Sequence, residues 1–320
     1  MRRRNLLSTL PLAFAGAASA QTQAGGRPVR VVVPFAAGGI IDVAARILAE
    51  PMARELGQTL VIENVPGAGA TIGARAVQRA AADGQTLMVS GAAHAVMAAL
   101  YPDSGLDPVA DFAPVTLIGQ QPFVLAVHPG VAARDVPGFL AWLRSRGGQA
   151  TFGTTGIGAA SHLAGELLKK LAGVDFTVVT YRGTPQAVTD LTAGRLDFMI
   201  DSQTLLGPLA RDGRVTALAV TTATRSVMLP DLPTLAEAGV AGFESSSWQA
   251  MYAPAGVAAP VVARIAAAAS AALADAAVQR RLAEGGLQPM PAGPEALRRF
   301  LVAEQERWVP ILRATGARGG

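Results

Sequence analysis

The sequence predicts an α/β fold in two lobes, each a mixed and mostly parallel sheet flanked by helices. Three observations predict it. Strand-like apolar runs alternate with helical ones almost to the end of the chain, the pattern of parallel sheets joined by crossover helices. Glycine-rich segments recur where a strand run gives way to a helical one, the edge at which open α/β sheets bind ligands. The chain has 320 residues, and the roughly 300 that follow a removable leader suit two lobes better than one core.

The leader is residues 1–20. Arg2, Arg3 and Arg4 precede an apolar run over 6–18, and Ala18-Ser19-Ala20 offers a small-residue cleavage site, so the mature chain is expected to start at Gln21. The favoured route is a Sec signal peptide. Arg3-Arg4-Asn5-Leu6-Leu7 keeps the twin-arginine route as the alternative. Both routes lead out of the cytoplasm, to a periplasmic location. There is no cysteine for a disulfide or a lipid anchor.

Strands are expected over 29–33, 59–63 and 86–90, with helices over 43–56 and 73–82. A polar, proline-interrupted stretch follows at 102–114, then two consecutive strands at 115–118 and 123–127, where the chain passes into the second lobe. There the order is helix 137–144, strand 150–152, helix 161–171, strand 177–180, helix 186–192, strand 196–200, helix 205–212 and strand 217–220. The chain then returns through a strand at 247–252 and helices at 260–274 and 294–312. These readings put lobe 1 at 28–123 and 224–320, lobe 2 at 124–223, and a hinge of two strands between them.

Charge removes several function classes. The formal charge of +4 includes the three leader arginines, which leaves +1 on the mature chain. With no lysine or arginine stripe and three tyrosines in all, no nucleic-acid partner is expected. The alanine-dominated stretch 265–274 is too short for a membrane span and is flanked by Arg264 and Asp275. No Gly-x-Ser-x-Gly or His-Glu-x-x-His motif is present, so the reading is a non-enzyme, with an exported hydrolase as the rival. No cofactor or metal is expected. His162 and Glu166 stand four apart, but with only His94 and His128 besides and no cysteine, a packed or capping histidine is favoured over a metal ligand.

The candidate site follows from Val31-Val32-Val33-Pro34-Phe35-Ala36-Ala37-Gly38-Gly39-Ile40-Ile41-Asp42, a buried strand that breaks at two glycines into a helix. The first amides of a helix lack internal partners and carry the positive end of its dipole, so they can hold a carboxylate without lysine or arginine. Phe35, Ala37, Gly38, Gly39 and Ile41 are the candidates here, and Asp42 is either the helix N-cap or an orienter of water. Gly67, Ala68 and Gly69 follow the second strand; Ala92 and His94 follow the third. In the second lobe Thr154, Gly156, Gly158 and Ala159 precede one helix, and Tyr181, Arg182 and Gly183 precede the next. Arg182 is either a bidentate clamp or solvent-exposed. For any one of these loops a plain turn is the competing reading. Trp248 reads as core or hinge packing, or as a stacking wall for a planar ligand, and Met88, Met97, Met199 and Met251 as core filler.

Several stretches together resemble the Bug family, the extracytoplasmic solute-binding receptors of tripartite tricarboxylate transporters. They are Val33-Pro34-Phe35-Ala36-Ala37-Gly38-Gly39, Glu63-Asn64-Val65-Pro66-Gly67-Ala68-Gly69, Asp111-Phe112-Ala113-Pro114-Val115, Ser161-His162-Leu163-Ala164-Gly165-Glu166-Leu167, Leu229-Pro230-Asp231-Leu232-Pro233-Thr234, Ser247-Trp248 and Ala253-Pro254-Ala255-Gly256. The likeness implies a type II Venus-flytrap receptor, monomeric, that closes on a small organic anion and delivers it to a membrane permease of large and small subunits. A sensor kinase is the alternative client. It also implies a site role for Asp201. The chain departs from the family pattern at Ile41, Ala159 and Ala160, where hydroxyls are usual, and at Ser202 and Met97, where an asparagine is usual. A cleft stripped of those groups implies a ligand less polar than citrate, an aromatic or aliphatic monocarboxylate or an uncharged relative. Unmatched ligand hydroxyls would each cost about 1 to 3 kcal/mol.

Overall fold

The computed structural model describes residues 26–319, Arg182 and Val227 excepted; the leader, its cleavage site and the Arg182 clamp lie outside the described residues. In chain order the first elements are β1 (Val29–Val33), α1 (Ile40–Leu56), β2 (Leu60–Asn64), α2 (Thr71–Gln78), β3 (Thr86–Gly91), α3 (Ala92–Leu100) and β4 (Phe112–Val127). Next come α4 (Val136–Arg146), β5 (Thr151–Thr154), α5 (Ala160–Ala172), β6 (Thr177–Thr180), α6 (Thr184–Thr192), β7 (Phe198–Ser202), α7 (Gln203–Arg211) and β8 (Thr216–Val220). The chain closes with β9 (Ser246–Pro254), α8 (Ala259–Ala274), α9 (Ala276–Glu284), β10 (Gln288–Ala292) and α10 (Pro294–Thr315).

The strands make one mixed sheet that falls into two halves with the same plan. In the first, β2, β1 and β3 run parallel, and β9, antiparallel to β3, joins them to β4. In the second, β6, β5 and β7 run parallel, and β4 is antiparallel to β7. The 16-residue β4 belongs to both: its start pairs with β9 and β10, and its last five residues pair with β7 and β8. This corrects the reading of two short strands at 115–118 and 123–127. Gly119, Gln120, Gln121 and Pro122 looked like a break, but Gly119, Gln120 and Gln121 keep ladder partners in β9, and Pro122 sits opposite Ser246 where the partner changes.

The return path is clipped at the same level. Thr221 Oγ1 accepts from Phe123 N (3.2 Å) and donates to Ser245 O (2.7 Å), so one buried hydroxyl ties the outgoing strand to the segment leading into β9.

Burial explains the elements. β1, packed on both faces, reads as a nearly continuous valine run. In α1, Ala44, Ala45, Ile47, Leu48, Met52 and Leu56 form the helical stripe that meets α8, and the helix stops at Gly57, whose φ of +64° suits a left-handed cap. The largest apolar cluster runs through both halves, from Val96 and Leu100 of α3 through Trp308 and Ile311 of α10 to Leu163 and Leu167 of α5. Trp248 belongs to this cluster. It is 1% exposed and its Nε1 donates to Glu304 (2.6 Å), which removes it as a stacking wall.

Candidate functional site

Two helices, one in each half of the sheet, begin by the same local rule. At α1, Gly38 (φ +83°) precedes Gly39, the N-cap, and Asp42 in the first turn reaches back to accept from Gly38 N at 2.9 Å. At α5, Gly158 (φ +86°) precedes Ala159, the N-cap, and His162 reaches back to accept from Gly158 N through Nδ1 at 3.3 Å. Neither N-cap side chain caps its helix. The amides of Gly39, Ile40 and Ile41, and of Ala160 and Ser161, therefore have no acceptor among the described residues. Donors of this kind at a helix start, reinforced by the dipole, suit an anion.

Asp42 is thus a first-turn latch, which removes the N-cap alternative of its two sequence readings, since Gly39 holds that position. Burial works against its charge, but hydrogen bonds from Arg46, Gly38 and Asn64 outweigh it and hold its pKa below the usual carboxylate value. Arg46 Nε lies 2.9 Å from Oδ2, and Asn64 Nδ2 donates to Oδ1 at 3.0 Å. With both oxygens engaged in the protein, Asp42 stiffens the turn.

The structure sorts the remaining predicted residues. Ala37, Gly38 and Gly39 are exposed and Phe35 and Ile41 half-buried. A methyl group added at Gly38 or Gly156 would meet nothing within 4 Å, so open space lies over both glycines. Gly38 and Gly158 do not offer their own amides, since both donate to the latches. Gly67 and Ala68 are exposed and Gly69 half-buried in the turn leading to α2, where the ring of Tyr101 covers Gly69. Gly183 is half-buried at the start of α6, and the half-buried Tyr181 gives its hydroxyl to Asp190 (2.7 Å).

Three expectations are corrected. Ala92 and His94 do not form a loop; they open α3, and His94 is wholly buried, its Nε2 donating to Pro108 O (3.0 Å) and its ring between Phe112 and Tyr252. Burial pushes its pKa down to about 4 against that hydrogen bond, so it is a neutral core histidine. Met97, on the same helix, is also wholly buried: it is the core filler of one reading, and its place among the cleft-facing departures from the family pattern is corrected. Thr154 is sealed as well, sharing a hydrogen bond with Ser161 Oγ at 2.8 Å.

Asp201, at the end of β7, keeps a sliver of exposure. Burial pushes its pKa up to about 6, opposed by hydrogen bonds from Ser202 N and Thr184. Ser202 Oγ is occupied as the cap of α7. Sequence reasoning allowed for a capping Asp42 and a capping His162 but missed the glycine amide, one residue before the N-cap, that each of them holds. A residue with an acceptor atom, four positions after a glycine that follows a strand, was the signal available at both places.

The halves meet next to these loops: a methyl group on Gly158 would lie 2.6 Å from Leu100 Cδ1 and 3.7 Å from Val96 Cγ2, both on α3. Two cavities lie elsewhere, a shallow depression between α3 and α10 and a small polar pocket near the place where β4 changes partner, lined by Gln120, Thr222 and Ser245 among others. Among the described residues there is no cluster of metal-ligating side chains, and no single helix is long and apolar enough to cross a membrane.

Residues 44–317 match the model of the tripartite tricarboxylate transporter family receptor. Three solved structures are similar over nearly their whole length. The periplasmic binding protein BugD is 36% identical, with a TM-score of 0.81 covering 91% of this chain and 98% of its own. MatC (Rpa3494) from Rhodopseudomonas palustris, solved with bound malate, is 35% identical, with a TM-score of 0.80 covering 89% and 98%. Rpa4515 from R. palustris, solved with adipate, is 34% identical, with a TM-score of 0.82 covering 90% and 97%.

Proposed function

The chain belongs to the tripartite tricarboxylate transporter receptor family, and on that footing we propose that it is a periplasmic solute-binding receptor that closes its two halves on one small organic carboxylate and hands it to a permease of large and small subunits. The lobes are 28–123 with 224–320, and 124–223, and residues 1–20 are the export signal. The observation that carries this reading is the pair of uncapped helix starts, one in each half, with free amides and with open space over Gly38 and Gly156. Such a site binds by closure, because the ligand favours the closed state only through contacts made with both halves together. Micromolar affinity requires about 8 kcal/mol, within reach of several amide and water-mediated hydrogen bonds with some apolar burial.

The ligand is one whose carboxylate does most of the polar work and whose remainder is aliphatic or aromatic. Ile41, Ala159 and Ala160 are half-buried beside the free amides and bring no side-chain polar group. The malate and adipate held by the two relatives support a carboxylate, and adipate supports an aliphatic body. Calorimetry with adipate, malate, benzoate, phenylacetate and citrate tests the proposal. Tight binding of adipate or an aromatic acid is the expected result; citrate as the sole tight ligand rejects the weakly polar cleft, and no binding by any acid rejects the carboxylate receptor.

A further inference from the structure

We propose that His162 is a positioning residue for ligand capture, its bare Nδ1 holding Gly158 so that the loop 155–158 is fixed in the shape that both meets the ligand and touches α3. The inference rests on the cleft reading above and goes one step beyond it, to a side chain that contacts no ligand.

The hydrogen-bond chemistry determines the ring's state. A main-chain N–H can only donate, so the Gly158 bond requires Nδ1 to be unprotonated. In the neutral ring the proton then sits on Nε2, which lies 3.7 Å from Glu166 Oε1. His162 and Glu166 are both almost completely buried on α5. Glu166 Oε2 has no partner among the described residues, and Lys169 stands 3.9 Å from Oε1. Burial first, and the Lys169 charge second, push the imidazole pKa down to about 4, which keeps the ring neutral at physiological pH.

A neutral latch has a purpose here. The matching latch in the first half is a carboxylate, and its charge is offset by Arg46 at 2.9 Å. A second carboxylate at position 162 would have no arginine beside it among the described residues and would set another negative charge close to the place where an acid has to sit, opposing its entry. An imidazole accepts the same glycine proton without that repulsion. The held residue also matters twice: Gly158 sits in the left-handed region at φ +86°, one residue before the N-cap, and lies so near α3 of the opposite half that a methyl group on it would run into Leu100. Releasing it loosens the cradle and the closure contact together.

Substitution by asparagine and by glutamine separates positioning from packing. Asn Oδ1 falls near the place of Nδ1 and can accept from Gly158 N, whereas the acceptor of glutamine lies one bond further out. With the tightest acid of the panel adipate, malate, benzoate, phenylacetate and citrate, the account expects His162→Asn to bind within about threefold of the wild type and His162→Gln to fall about tenfold, the worth of one ordering hydrogen bond. Hydrogen exchange of the Gly158 amide is read on the same proteins, and is expected to be slow in the wild type and the asparagine variant and fast in the glutamine variant. Equal binding by all three proteins overturns the proposal alone, as does equal loss in both variants with Gly158 still protected. A wild-type protein that binds none of the acids overturns the cleft reading and this proposal with it.

Discussion

Gly158 stands against Leu100 at the point where the two halves meet, so close that a methyl group on the glycine would lie 2.6 Å from Leu100 Cδ1. A side chain there must displace the Leu100 methyl, which is buried and has little room to turn away, and the glycine's φ of +86° adds backbone strain for any residue with a Cβ. Gly158→Ala is expected to weaken ligand binding by about tenfold to a hundredfold, the equivalent of 1 to 3 kcal/mol of overpacking, and to leave the protein more open in solution scattering. Gly156→Ala is the control: it shares a positive φ (+142°) but has nothing within 4 Å, so its scattering profile stays that of the wild type.

Thr221→Val removes the hydroxyl that joins β4 to the segment entering β9 and leaves Phe123 N and Ser245 O short of a partner. Both groups are buried, so the expected loss is about 1 to 3 kcal/mol of stability. Urea unfolding measures it directly.

Ala70 is held at φ +78° just before α2, a conformation that costs an alanine about 1 kcal/mol and a glycine almost nothing. Ala70→Gly is therefore expected to stay within about 0.5 kcal/mol of the wild type, because the relieved strain is offset by the entropy glycine adds to the unfolded chain and by the loss of a methyl group that is itself buried. A fall of more than about 1 kcal/mol in urea unfolding would contradict the backbone assignment of this turn.

Acid should weaken the fold before carboxylates with ordinary pKa values titrate. His94 and His162 have folded pKa values lowered to about 4 from 6.5, so the unfolded chain binds more protons between those values and stability falls as pH drops from 6.5 towards 4. Asp201 works the other way: its pKa, raised to about 6, makes a contribution present at low pH and lost as pH rises from 3.8 through 6. Two groups against one leave a net loss on the order of 2 to 3 kcal/mol by pH 4. Unfolding at pH 7, 6, 5 and 4 measures the slope, and His162→Asn is expected to remove about half of the histidine contribution.

Much of the architecture was legible because parallel strands buried on both faces announce themselves, as Val31-Val32-Val33 does, and because glycines mark where they end. The long β4 was not, since Gly119 and Pro122 look like a break until the partners on either side are known. The shared core was hidden for a related reason: periodicity shows that α3, α5 and α10 each have an apolar side, but not that those sides meet one another across the two halves. At the site, the loop glycines were found by sequence while the use of their amides was not. Whether Gly38 N faces a ligand or Asp42 depends on a side-chain rotamer, and a histidine that caps α5 looks in sequence much like the buried His94 of α3.

The central claim is that main-chain amides at two facing helix starts grip a small acid. A crystal structure of the mature protein with its tightest-binding acid tests it most directly. The account predicts carboxylate oxygens within hydrogen-bond reach, direct or through one water, of the Ile40 or Ile41 amide on one side and the Ala160 or Ser161 amide on the other. An acid bound outside the space between the halves, or held there by charged side chains with those amides turned away, would contradict it.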